Sequence, residues 1–138
     1  MAKDRFHQVV KMALTKDGWN ITHDPLKIKV GGVEMEIDLG AERLLAAERG
    51  DEKIAVEIKS FLASASAISE FHTALGEFIN YRAALRREEP ERILYLAIPD
   101  LIYNSFFHLD FPASVLQENS VKLIIYDIEV EQISQGQD

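Results

Sequence analysis

Three side chains stand out for what they could do together: Asp38 and, further along, the pair in Glu57-Ile58-Lys59. Set on one face of neighbouring strands, they would offer two carboxylates and one ammonium. A hard cation such as Mg²⁺ takes oxygen ligands, usually one or two carboxylates with waters and substrate phosphates. Asp38, Glu57 and the backbone carbonyl of Ile58 would supply them. Lys59 lies two residues beyond Glu57, so its side chain leaves a strand on the same face. An ammonium there would orient or help deprotonate an attacking water and stabilise charge on a phosphorane-like transition state. The metal would lower that water's pKa and polarise the phosphoryl oxygen. The same residues also fit a solvated strand face with a cross-strand ion pair. Glu-x-Lys alone is a common pattern, and its weight comes from its surroundings.

Those surroundings are a sheet with helices on its faces. Phe6, Val9, Val10, Ala13 and Leu14 recur at three- and four-residue steps, which predicts a helix over 4–16, ended by Gly18. Leu26, Ile28 and Val30 alternate with Lys27 and Lys29, and Gly31-Gly32 suits a tight hairpin. The return strand begins at Val33 and reads as one long, bulged strand through Glu48. A strand follows at 53–59, with Ile54, Val56 and Ile58 on one face and Ala55, Glu57 and Lys59 on the other. Ser66 is an N-cap for a helix over about 67–87, closed by Glu88-Glu89-Pro90. Ile68, Phe71, Leu75, Phe78 and Arg82 share one side of it. Arg92–Ile98 reads as a buried strand, 100–119 as short helical pieces, and Val121–Ile128 as a last strand. The class is α/β, a mixed and largely antiparallel sheet flanked by helices. One domain over 1–131 is expected, with 132–138 a loose tail.

The 138 residues suit one core. With 15 Lys and Arg against 23 Asp and Glu, the formal charge is −8, which argues against a DNA binder that uses its whole surface. Phosphate contacts would fall to local patches: Lys27 and Lys29, or Arg82, Arg86 and Arg87. The absence of cysteine rules out disulfide scaffolds and thiolate zinc sites. No apolar run approaches the roughly 18 residues of a membrane span, and the first residues lack a signal-peptide core, so a cytoplasmic protein without membrane contact is expected.

Glu36-Ile37-Asp38-Leu39 followed by Ala55-Val56-Glu57-Ile58-Lys59-Ser60-Phe61 resembles the core of the PD-(D/E)xK, or restriction-endonuclease-like, superfamily. More sharply, the chain resembles the XisH family. The carrying stretches include residues 16–22, Asp24-Pro25-Leu26, Ala46-Ala47-Glu48, Lys53 through Phe61, Leu94 through Pro99 and Glu118-Asn119. The resemblance runs over nearly the whole chain. It implies an excision controlling factor for the fdxN element, a DNA segment removed from cyanobacterial chromosomes during heterocyst differentiation. It further implies a site-specific recombinase and a companion protein, XisI, in the same system. The superfamily likeness implies a DNA phosphodiesterase site using Mg²⁺ or Mn²⁺, with the acidic pair on Asp38 and Glu57 and the lysine on Lys59. An acid on the first helix often adds a ligand, and Asp4 is the nearest here. RecB-like members often carry a Gln on the following helix with a Tyr one turn on. Here Glu77 and Tyr81 have that spacing, with Glu in place of Gln.

The other conspicuous residues have plainer readings. No two of the four histidines have the i, i+4 metal spacing of one helix; His7, beside Asp4, is a possible proton relay. Phe71, Phe78 and Tyr81 recur at helical steps and read as core. Tyr103, Phe106, Phe107, Phe111 and Val115 are dense enough for a partner or homodimer surface, or for anchors packed onto the sheet. A non-catalytic scaffold that binds a companion protein through an acidic surface is the competing function.

Overall fold

The computed structural model describes residues 2–46, 50–61 and 66–137. Helix α1 (Ala2–Lys16) forms where the apolar spacing places it. Gly18, at φ +93°, turns the chain out of it at little steric cost. Strand β1 (Asn20–His23) precedes a hairpin of β2 (Leu26–Val30) and β3 (Val33–Ile37). Gly31 and Gly32 close that hairpin at φ +55° and +85°, the two positive values a type I′ turn needs. Then come β4 (Leu39–Ala46), β5 (Gly50–Ile58), α2 (Ala67–Glu88), β6 (Arg92–Pro99), α3 (Asp100–Ser105), α4 (Asp110–Glu118), β7 (Leu123–Asp127) and β8 (Gln132–Gln137). The Ser66 hydroxyl accepts from the Ser69 N–H and caps α2.

Six strands form one mixed sheet in the order β1-β4-β5-β6-β7-β8. Strands β5, β6 and β7 are parallel, and the other neighbours are antiparallel. Helix α2 is the crossover between β5 and β6, as a parallel pair requires. The period-two alternation of β5 sorts the core into two. Ile54 and Val56 pack with Phe6, Val10 and Leu14 of α1. Ala55 faces the other way, toward Phe71, Ala74 and Phe78 of α2 and Leu26 and Ile28 of the hairpin. Glu57 continues the Ala55 face, so the candidate site lies on the α2 side.

Three expectations change. The long strand from Val33 breaks at Asp38, because β3 pairs only with β2 while β4 joins the main sheet between β1 and β5. The Asp38 N–H is spent on a side chain instead of a strand partner. Residues 47–49, including Glu48, lie outside the described residues. The stretch read as a loose tail pairs as β8 with β7; ladder hydrogen bonds need no apolar side chains, and Ile133 packs on the α1-side core. On α2 the buried face is Phe71, Ala74, Phe78, Ala84 and Leu85, whereas Ile68 is exposed.

Candidate metal and catalytic site

Pairing of Leu39 with Val56 brings Asp38 and Glu57 together at one end of β4 and β5. The two carboxylates are interlocked through backbone. The Asp38 N–H donates to Glu57 Oε1 at 3.2 Å, and the Ile58 N–H donates to Asp38 Oδ2 at 2.8 Å. Each acid spends one oxygen on the other's strand, which fixes its orientation. Glu57 is only 5% exposed. Burial first, and then the charge of Asp38, push its carboxyl up to about 8, against the pull of the Lys59 charge and the Asp38 N–H.

Lys59 Nζ stands 3.6 Å from Glu57 Oε2 and makes a closer ion pair with Glu77 Oε1, which α2 brings across. Burial pulls the Lys59 pKa down, but the bond it donates to Glu77 and the charges of Glu57, Glu77 and Asp38 outweigh it and hold it above the ordinary value. The Tyr81 hydroxyl lies 3.5 Å from Glu77 Oε2, at the outer limit of a hydrogen bond. Burial, together with the charges of Glu57, Glu77 and Asp38, raises its pKa.

The site thus gathers Asp38, Glu57, Lys59, Glu77 and Tyr81, with the Ile58 carbonyl at the end of the same strand. A buried carboxylate beside a second one is short of positive charge, which makes it hold a proton more tightly than usual. A divalent cation would meet the same need and release that proton. Two carboxylates and a carbonyl suit Mg²⁺ or Mn²⁺, which keep several waters. Among the described residues no group of three or more His, Asp or Glu is disposed to hold a metal ion. The fit is therefore to a two-carboxylate site completed by water and substrate.

The other named residues lie elsewhere. The Asp4 side chain falls outside the described residues. His7 is bonded at 2.7 Å to Asp24, whose other oxygen meets Lys11 at 2.8 Å. Lys27 and Lys29 project from the exposed side of β2. Arg82 Nη1 donates to the Asn119 carbonyl at 2.6 Å and the Ser120 carbonyl at 3.2 Å, and its guanidinium covers the Phe78 ring. Arg86 and Arg87 are exposed. The sequence reading missed the backbone N–H groups of Asp38 and Ile58 as orienting donors. Only the break in a regular strand could have revealed them, and no residue type marks that break.

The chain matches the XisH protein family over residues 1–134. It belongs to the XisH family. Two crystal structures of family relatives share its fold. One is an XisH family protein from Nostoc punctiforme PCC 73102, 61% identical, with a TM-score of 0.90 over 98% of this chain and 100% of that one. The other is a fdxN element excision controlling factor protein from Anabaena variabilis, 58% identical, with a TM-score of 0.90 over 98% of this chain and 99% of that one. No curated protein matches this XisH-family chain. Among its described residues, no helix is long and apolar enough to cross a membrane.

Proposed function

We propose that this XisH-family chain is an accessory factor in the controlled excision of a DNA element, carrying a metal-dependent endonuclease-like site on a restriction-endonuclease-like fold. The observation that carries the reading is the interlocked Asp38–Glu57 pair with Lys59 just past the end of β5 and within 3.6 Å of Glu57. The family relative from Anabaena variabilis, an excision controlling factor, supports the biological setting. In this reading Asp38, Glu57 and the Ile58 carbonyl hold Mg²⁺ or Mn²⁺. When bound, the ion supplies an activated water and a polarised phosphoryl oxygen. Asp38 and Glu57 are held in register by each other's backbone. In this reading Lys59 Nζ orients a water and offsets charge gathering on the phosphate. The partners are DNA, an XisI-like companion and a site-specific recombinase, in the cytoplasm of a cell that rearranges its genome, as heterocysts do.

Calorimetric titration of Mn²⁺ and Mg²⁺ into the wild type and Asp38→Asn tests the site without a guess at substrate. Saturable binding lost in the variant supports it, and cleavage of supercoiled DNA is then the assay for activity. Unchanged affinity in Asp38→Asn refutes it.

A second reading has its own observation. Leu101 and Phe111 are 73% and 65% exposed on α3 and α4, in a chain of formal charge −8. An acidic, partly apolar surface suits a basic companion protein or, less well, a second copy of the chain. Co-elution with an XisI-like protein at micromolar concentration that is lost in Leu101→Glu supports this scaffold role; absence of co-elution counts against it.

A further inference from the structure

We infer that Glu77 is a positioning residue: it draws the Lys59 ammonium off Glu57 and so keeps the carboxylate pair open to a divalent cation. The inference rests on the metal reading above. Glu57 near the end of β5 and Lys59 just past it are two residues apart, and the lysine stem is long enough to close on its neighbour. A cation seated on Glu57 would occupy the place a metal needs. The ammonium instead makes its closer ion pair with Glu77 Oε1 and only a looser one with Glu57 Oε2, at 3.6 Å. Glu77 comes from α2, a separate element fixed by Phe71, Ala74 and Phe78 in the core, and its second oxygen faces the Tyr81 hydroxyl.

Burial decides which acid takes which task. The Glu77 side chain is 35% exposed and that of Glu57 7%. Glu77 therefore bears its charge at lower cost and is the better fixed counter-ion for an ammonium. The alternative, Glu77 as a third metal ligand, fits poorly. One of its oxygens is already taken by Lys59. Among the described residues, moreover, Asp38, Glu57 and Glu77 do not form a three-acid cation group.

Mn²⁺ affinity, measured by calorimetry in a double-mutant cycle, separates the two roles. Glu77→Gln frees Lys59 to fall onto Glu57 and is expected to weaken Mn²⁺ binding by about tenfold. In a Lys59→Met background there is no ammonium to hold, and adding Glu77→Gln is expected to change affinity by less than about twofold. An equal loss in both backgrounds would mean that Glu77 acts on the metal directly and would overturn the inference. So would no loss in either. A wild type that binds no Mn²⁺ sinks the metal reading, and the positioning role is then read from a metal-free crystal structure of Glu77→Gln. Lys59 Nζ is expected to close on Glu57 to within hydrogen-bond distance, and an ammonium that stays put refutes the inference.

Discussion

Helix α2 carries opposite charges at two places along its length and treats them differently. At Glu77 it faces Lys59, Glu57 and Asp38, where burial and like charge lift Glu57 to about 8. Further on come Arg82, Arg86 and Arg87. There Arg82 binds the carbonyls of Asn119 and Ser120 just past α4, and Arg86 and Arg87 stand in solvent at the negative end of the α2 dipole. The basic region is explained by what the fold itself presents: carbonyl groups and a helix terminus. The acidic region is not, because it concentrates a charge that the fold only partly neutralises. In the metal reading proposed above, uncompensated charge held in fixed geometry is where a cation would sit, whereas charge satisfied by backbone serves architecture.

Glu57 gives the largest expected contrast. Its carboxyl titrates at about 8 in the folded chain against 4.5 for the ordinary group. Between those values the native state holds a proton that the unfolded chain has released. This contribution to stability is complete below about pH 4.5 and drains away as pH rises through 8. Each pKa unit corresponds to about 1.4 kcal/mol, so the loss amounts to a few kcal/mol. Urea denaturation of the metal-free protein at pH 5 and pH 8 measures it. Glu57→Gln, which cannot ionise, is expected to flatten the difference, and Mn²⁺ to restore wild-type stability at pH 8. Parallel pH profiles for wild type and variant would break the contrast between the two regions.

The buried arginine provides the architectural counterpart. Arg92 is 6% exposed, with Nε on Glu89 at 2.9 Å and Nη1 on the Ile54 carbonyl at 2.9 Å. Arg92→Met strands a buried carbonyl and is expected to cost about 3 kcal/mol. The cost should be much the same at pH 5 and pH 8. A strongly pH-dependent cost would show that this arginine also feeds the acidic site.

Much of the frame is legible in the residues, because alternation and turn chemistry are local. Ile54 and Val56 against Ala55 and Glu57 give both faces of β5, Gly31-Gly32 gives the hairpin, and Ser66 gives the start of α2. The break at Asp38 is not legible, since Met35, Ile37 and Leu39 alternate straight through it. Only pairing with distant strands cuts the run in two. Strand β8 is hidden for a related reason: it is set by its ladder with β7, which no apolar alternation in 132–137 announces. The pair of acids and the lysine can be named from the sequence. The hold of Glu77 on Lys59 cannot, because it depends on where α2 crosses the sheet.

Gly40 tests a closer detail of the same packing. A Cβ there would lie 3.1 Å from His23 Cβ and Nδ1 and 3.2 Å from Arg92 Nη1. The strand interior admits a glycine because neighbouring side chains close over it. Gly40→Ala is expected to cost about 1–2 kcal/mol in urea denaturation. In the Arg92→Met background the cost should fall, since one of the crowding groups has gone. Strict additivity would show that His23 alone sets the limit.

The smallest effects distinguish the arginines from one another. Arg82 satisfies two carbonyls and covers Phe78, so Arg82→Met is expected to lower stability by about 1 kcal/mol. Arg86 is exposed, and Arg86→Gln should stay within about 0.5 kcal/mol of wild type. If the exposed charges instead serve DNA, the difference appears in binding. The slope of log affinity against log salt should drop by about one unit for each of Arg86 and Arg87 neutralised. Arg82→Met should alter that slope less, because its guanidinium is committed to carbonyls. Equal slopes for all three variants and the wild type would leave this end of α2 purely architectural and move phosphate contact to Lys27 and Lys29 on the hairpin.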